Sequence, residues 1–275
     1  MFDYFVHRIL GFPLRMRVRY DRVVGGGKPE LAVVFLHGIA SSYKVWRHVI
    51  AETAGLKEMK GVRFVALDLI GFGKSKKPDW YAYDYKSYNK AIKSTLRKLK
   101  VKTPIVMVGH SMGSLIATDY AAENPEKITS LILVSPPFLR PGDLRRVPDK
   151  FYVKAYTDLK NHTGNMMVGT IASFISMASS FDKKALNTEA FRKSMDAIIL
   201  NRENWEKILK LDKPVYMVHG KLDPLVLGAN LRSLATHNKQ ITLTECLGGH
   251  DIAGAKCKRV SKVIRDAITA ASVIQ

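Results

Sequence analysis

The pentad Gly109-His110-Ser111-Met112-Gly113 sets one serine between two glycines, directly after the apolar run 105–108. A serine on a sharp strand-to-helix turn projects its hydroxyl above the end of a sheet, and flanking glycines let the neighbouring backbones close in. The first turn of the helix that follows offers free N–H groups to a developing negative charge. The chemistry such a serine suits is attack on an acyl carbon. A plain glycine turn satisfies the same five letters, so the rest of the chain must supply the partners.

A serine hydroxyl is a weak nucleophile near neutral pH and needs a base, usually a histidine held by a carboxylate. In a turn of this kind the chain order is serine, acid, histidine. His162, His219, His237 and His250 follow Ser111. His162 falls in a helical stretch, His219 closes an apolar strand, and His237 adjoins Asn238 and Lys239. His250 follows Gly248-Gly249 and precedes a helix, which puts it on a loop at a strand end, and it is the expected base. Asp223 is the expected acid, in the turn Gly220-Lys221-Leu222-Asp223-Pro224 after the preceding strand. Asp212 comes before that strand, on the wrong edge, and Asp143 lies too far past another. Asp68 sits in a glycine-rich turn, where an aspartate commonly satisfies backbone N–H groups. Asp251 reads as a cap for the last helix. The oxyanion donors expected are the backbone N–H groups of Met112 and Ile39, with Ala40 as second choice to Ile39. His37 and His110 adjoin glycine turns and read as structural.

The elements that must carry these residues alternate. The apolar runs at 31–36 and 62–67 read as strands buried on both faces, and 104–108, 128–134, 214–219 and 240–246 read as further strands. Helical patterns at 43–54, 85–99, 114–124, 226–236 and from 252 onward separate them. This alternation implies an α/β fold with a doubly wound, mostly parallel sheet. Active sites in such sheets sit at the carboxyl ends of the strands, and His37, Asp68, Ser111 and Ser135 all follow strand ends. Before 31, the period-2 segment Leu14–Tyr20 alternates an apolar face with Arg15, Arg17 and Arg19, as expected of an edge strand. Residues 2–12 fit either a short helix or a first edge strand. Between 136 and 211 the strand rhythm breaks into helical patterns. The chain therefore divides into a core of 1–135 and 212–275 and an inserted helical cap of 136–211. In the cap, Met166, Met167, Phe174 and Met177 are candidates to line an apolar substrate pocket, because methionine adapts to varied shapes.

The 275 residues suffice for one large domain with an insertion. Two cysteines, Cys246 and Cys257, have neither metal spacing nor a disulfide framework, so neither metal nor cofactor is expected, and a reduced, cytoplasmic setting is. The N-terminus does not read as a signal peptide. A net charge of +20 favours acidic partners, either an acidic carrier protein or an anionic surface with peripheral membrane contact. The charge is spread along the chain and no nucleic-acid module stands out, so no specific nucleic-acid partner is expected.

Five pieces in order together resemble the α/β-hydrolase superfamily. They are His37-Gly38 with Trp46 downstream, Asp68-x-x-Gly71-x-Gly73-x-Ser75-x-x-Pro78, Gly109-His110-Ser111-Met112-Gly113, Gly220-x-x-Asp223, and Gly249-His250. The resemblance implies Ser111, Asp223 and His250 as nucleophile, acid and base. The sequence departs from the family in having one clear strand before Leu31 where members often have two, and Ser114 where many have glycine. A serine nucleophile excludes the relatives that use aspartate there, the epoxide hydrolases and haloalkane dehalogenases. What the resemblance leaves is a carboxylesterase acting on small to medium apolar acyl substrates. Thioesterases or methyl-esterases on acyl-carrier substrates, lactonases and carbon–carbon bond hydrolases are the alternatives. A ligand sensor that retains the triad is the non-enzymatic one.

Overall fold

The computed structural model describes residues 4–141, 187–201 and 203–273. Among these residues seven strands form one sheet: β1 (Arg17–Val23), β2 (Leu31–Leu36), β3 (Val62–Asp68), β4 (Ile105–His110), β5 (Ile128–Val134), β6 (Val215–Gly220) and β7 (Ile241–Cys246). Their spatial order is β1-β3-β2-β4-β5-β6-β7. β1 pairs antiparallel with β3, and every other pairing is parallel. The helices are α1 (Arg47–Ala54), α2 (Tyr85–Lys98), α3 (Met112–Glu123), α4 (Thr188–Ser194), α5 (Glu203–Lys210), α6 (Gly228–His237) and α7 (Gly254–Val273).

The unbroken apolar runs are explained by two buried layers. Along β2, Ala32, Val34 and Leu36 face the layer built with α2, α3 and α6. Leu31, Val33 and Phe35 face the opposite layer, built with α1 and α7. Each large side chain so buried is worth about 1.5–3 kcal/mol relative to exposure. A polar residue at any of these positions would lose that burial on one face or the other.

The edge strand departs from its sequence pattern. The register of β1 against β3 shifts between Val18 and Tyr20, leaving Arg19 as an extra residue. A bulge of this kind reverses the side-chain alternation beyond it. Leu14, Met16 and Val18 therefore pack on one layer, and Tyr20 on the other. The strand also starts later than expected, at Arg17. Residues Phe5–Ile9 form a single π-helical turn, so the sheet edge belongs to β1. The final helix starts at Gly254, which leaves Asp251 ahead of its cap position. Within 136–211, Thr188–Ser194 and Glu203–Lys210 are α-helical and Met195–Ile199 is a π-helical turn. Phe191, Ile198, Trp205 and Ile208 share the apolar layer of α2 and α3. Asn204 donates to the Leu115 carbonyl (2.9 Å). Met166, Met167, Phe174 and Met177 lie outside the described residues.

Candidate active site

Ser111 stands between β4 and α3 with φ 53° and ψ −124°. That conformation is strained for a residue with a Cβ and costs on the order of 1–3 kcal/mol. The surroundings enforce it. A Cβ on Gly109 would lie 2.5 Å from the Gly113 carbonyl oxygen, and one on Gly113 would strike the Leu36 and His37 carbonyls. Ser111 N–H donates to the Val134 carbonyl (2.9 Å), which ties the turn to β5. Ala40 (φ 48°) and Ser135 (φ 48°) are strained as well. All three lie past the carboxyl ends of β2, β4 and β5, so the strain gathers on one rim.

On that rim His250 and Asp223 are joined. The His250 Nδ1 lies 3.0 and 2.9 Å from the two Asp223 carboxylate oxygens. Both side chains are buried. Asp223 Oδ1 also accepts from the Leu225 N–H (2.9 Å). Two loops make the meeting possible. Lys221 N–H donates to the Cys246 carbonyl and Leu222 N–H to the Gly248 carbonyl, and a Cβ on Gly220 would strike Gly248. Burial pushes the Asp223 carboxyl up, but the hydrogen bond and charge of His250, with help from the Leu225 amide and Ser135, outweigh it. The carboxyl is left at about 2.

His110 links this pair to the serine beside it. Its Nε2 lies 3.0 Å from the His250 carbonyl and must donate to it. The two imidazole rings are 5.0 Å apart. The loop expected to supply the second oxyanion donor abuts the serine, since a Cβ on Gly38 would lie 3.0 Å from the Ser111 Cβ. His37 fixes this loop: Leu69 N–H donates to its Nε2 (2.9 Å), so its Nδ1–H donates to the Gly38 carbonyl (2.7 Å). Asp68 clamps the far side, accepting from the N–H groups of Tyr43 and Lys74 at 2.8 Å. Met112 opens α3, and Ile39 is buried in the loop after β2.

Lys256 is the residue that sequence reasoning missed. It is 1% exposed, and its Nζ donates to the Ser135 hydroxyl (3.0 Å) and to the Gly249 carbonyl. Ser135 Oγ in turn lies 3.3 Å from the His250 carbonyl. Burial holds the Lys256 ammonium below its usual range, against the charge of Asp223. One signal was available: Lys256 stands one turn before Val260 and two before Ile264, on the buried face of α7.

His110 carries a pH prediction. Burial first, then the nearness of His250, hold its imidazole at about 3. Its Nδ1 is buried with no partner among the described residues. Unfolded, the ring binds a proton below about 6.5; folded, it stays neutral down to about 3. The stability it contributes is therefore complete above pH 6.5 and drains as pH falls toward 3, by about 5 kcal/mol in all. His37 is shifted in the same direction, mainly by burial. Urea midpoints measured from pH 7 to pH 4 should fall steeply for the wild type and less steeply for His110→Gln. Parallel slopes would contradict this account.

An open, mostly parallel sheet with a strained serine at a strand-to-helix turn, and a buried aspartate–histidine pair past strand ends on the same rim, has the architecture of a hydrolase of the α/β type. The chain belongs to the α/β hydrolase fold family, whose sequence model matches residues 32–253. It is 36% identical over 109 residues to the probable lysophospholipase BODYGUARD 2 of Arabidopsis thaliana, covering 39% of this chain and 23% of that protein. The match thus spans about a quarter of that relative's length. Over nearly its full length the chain is 27% identical to the uncharacterized hydrolase YugF of Bacillus subtilis (strain 168), covering 92% of this chain and 94% of that one. Among solved structures it resembles an esterase from Exiguobacterium antarcticum (TM-score 0.72, 19% identity, 92% and 96% covered). It likewise resembles an enol-lactonase from Burkholderia xenovorans LB400 (TM-score 0.73, 16% identity, 92% and 96% covered).

Proposed function

We propose that this chain is a serine hydrolase that cleaves carboxylic esters of small to medium apolar acids through an acyl-enzyme on Ser111. The observation that carries the reading is the buried hydrogen-bonded pair of His250 and Asp223 on the rim where Ser111 is held strained. Asp223 accepts from Nδ1–H, which leaves Nε2 of His250 free to take the serine proton. Ser111 Oγ then bonds to the acyl carbon while the carbonyl electron pair moves onto oxygen, facing the N–H groups of Met112 and Ile39. Collapse of this intermediate expels the alcohol, which takes the proton back from His250. Water, deprotonated by the same imidazole, releases the acid and frees the serine.

Apolar acyl groups suit the setting. Leu222 and Leu247 stand exposed on the loops that carry the acid and lead to the base. Met166, Met167, Phe174 and Met177, within the proposed cap of 136–211, are the candidates to line an apolar pocket for such groups. Relatives named as a probable lysophospholipase and an esterase support ester chemistry, and a lactone is an internal ester open to the same attack. The test is labelling with a fluorophosphonate, followed by peptide mapping, alongside a series of p-nitrophenyl esters of increasing chain length. Labelling should map to Ser111 and turnover should pass through an optimum in chain length. Labelling elsewhere, or no turnover of any ester, would overturn the reading.

A further inference from the structure

The groove between α2 and the first residues of β4 has no part in ester chemistry. It holds about 370 Å³ and lies at the end of the sheet opposite Ser111. Its floor is apolar, built from Leu96, Val101, Ile105 and Tyr120. Its walls carry Lys90, Lys93, Arg97, Lys100, Lys102 and Lys127. Lys90, Lys93, Arg97 and Lys100 recur at spacings of three and four residues, so they stand on one face of α2 and the turn that ends it. None of the six is ion-paired within the described residues.

A second feature adjoins it. Five of the seven exposed large apolar side chains among the described residues fall in one short segment: Tyr4, Phe5, Ile9, Leu10 and Phe12. Two shallow clefts beside this segment share Pro13 with the basic groove, one of them also Lys90 and the other Ser94 and Arg97. The apolar segment and the basic groove are thus one continuous surface. Together the groove and the clefts are lined by nine lysines and arginines, with Arg8, Arg15 and Lys76 joining the six above, and by no aspartate or glutamate. The chain has 44 basic and 24 acidic residues, so an even spread would set about five acids among them. The excess is local, not a share of the general basic bias.

We propose that this surface docks the protein on an anionic phospholipid bilayer, with Phe5, Ile9, Leu10 and Phe12 entering the headgroup boundary and the α2 face meeting lipid phosphates. The two halves match the two terms of interfacial binding: apolar side chains bury in the upper acyl region, and cationic ones are drawn to anionic headgroups. A nucleic acid would use the charge but leaves the apolar segment without a role. The basic groove sits at the far end of the sheet from the serine, so docking through it leaves the catalytic rim open.

Flotation of the full chain with two kinds of vesicle tests this: phosphatidylcholine alone, and phosphatidylcholine with phosphatidylglycerol at about three to one. The chain should float with the anionic vesicles at least roughly ten-fold better, and the advantage should fade toward 1 M salt as the Debye length shrinks to about 3 Å. The triple variant Lys90→Ala, Lys93→Ala, Arg97→Ala should bind anionic vesicles roughly 100-fold more weakly, about five-fold per residue. The variant Phe5→Ser, Phe12→Ser should bind several-fold more weakly at low and high salt alike. Circular dichroism and turnover of a soluble ester should match the wild type in both variants, and the flotation result stands even if no ester is a substrate. Equal flotation with both vesicle types, or a triple variant that binds as the wild type does, would overturn the proposal. So would a dimer in lipid-free solution that the double variant abolishes, or retention by duplex DNA without flotation.

Discussion

Ser111→Ala should lower kcat for ester turnover roughly 10⁵- to 10⁶-fold, the scale expected when the nucleophile of a cooperating set is removed. On the proposed mechanism the acyl-enzyme then cannot form, and only oxyanion stabilisation and substrate positioning remain, which together keep about 10³-fold over water. KM should change little, because the hydroxyl contributes to bond making and not to holding the ground state. Alanine keeps the Cβ and hence the backbone strain at φ 53°. A Ser111→Gly variant relieves it and should be more stable than Ser111→Ala by about 1 kcal/mol or more. The measurements are initial rates over a substrate series and urea midpoints of the two variants. A Ser111→Ala protein within ten-fold of wild-type kcat sinks the acyl-enzyme mechanism. Equal stability of the two variants sinks the claim that the elbow stores strain.

The strands of the core were legible because burial on both faces leaves no choice of residue. β2 and β5 run over the residues their apolar runs mark, since β-branched and aliphatic residues there serve two layers at once. The edge was less legible. The alternation in 14–20 predicts one apolar face, but the bulge at Arg19 turns Tyr20 to the other, and no residue type in the segment announces a bulge. Asp68 could be read as a backbone clamp from its turn, and it accepts two N–H groups as such a residue should. Asp223 and His250 could be read separately, each from a turn after a strand. Their meeting depends on the close approach of Gly220 to Gly248, which links residues 28 positions apart and leaves no local trace in the sequence. Lys256 was hidden by its type, because lysine on a helix is read as exposed until its phase against Val260 and Ile264 is counted. Helical periodicity does not say which sheet face a helix covers, and α4 and α5 join the layer of α2 and α3.

Asp223→Asn should lower kcat by about 10⁴-fold with the fold intact. The carboxylate accepts from His250 Nδ1 at 2.9 and 3.0 Å, which fixes the proton on Nδ1 and leaves Nε2 to receive one. An amide NH₂ in the same place donates to Nδ1, moves the ring proton to Nε2, and removes the base. Stability should also respond, with a definite sign. The folded carboxyl lies at about 2 against an ordinary 3.8, so the wild type gains about 2 kcal/mol that is complete above pH 4 and lost as pH falls toward 2. The variant lacks this gain, so the two proteins should differ at pH 7 and converge in acid. It also leaves the buried Lys256 without a carboxylate that favours its charge, which widens the difference at neutral pH. On the proposed mechanism serine, histidine and aspartate act as one unit, so the double variant Ser111→Ala, Asp223→Asn should be no slower than Ser111→Ala alone. Additive losses in the double variant would mean that Asp223 acts on turnover by some route other than the imidazole of His250.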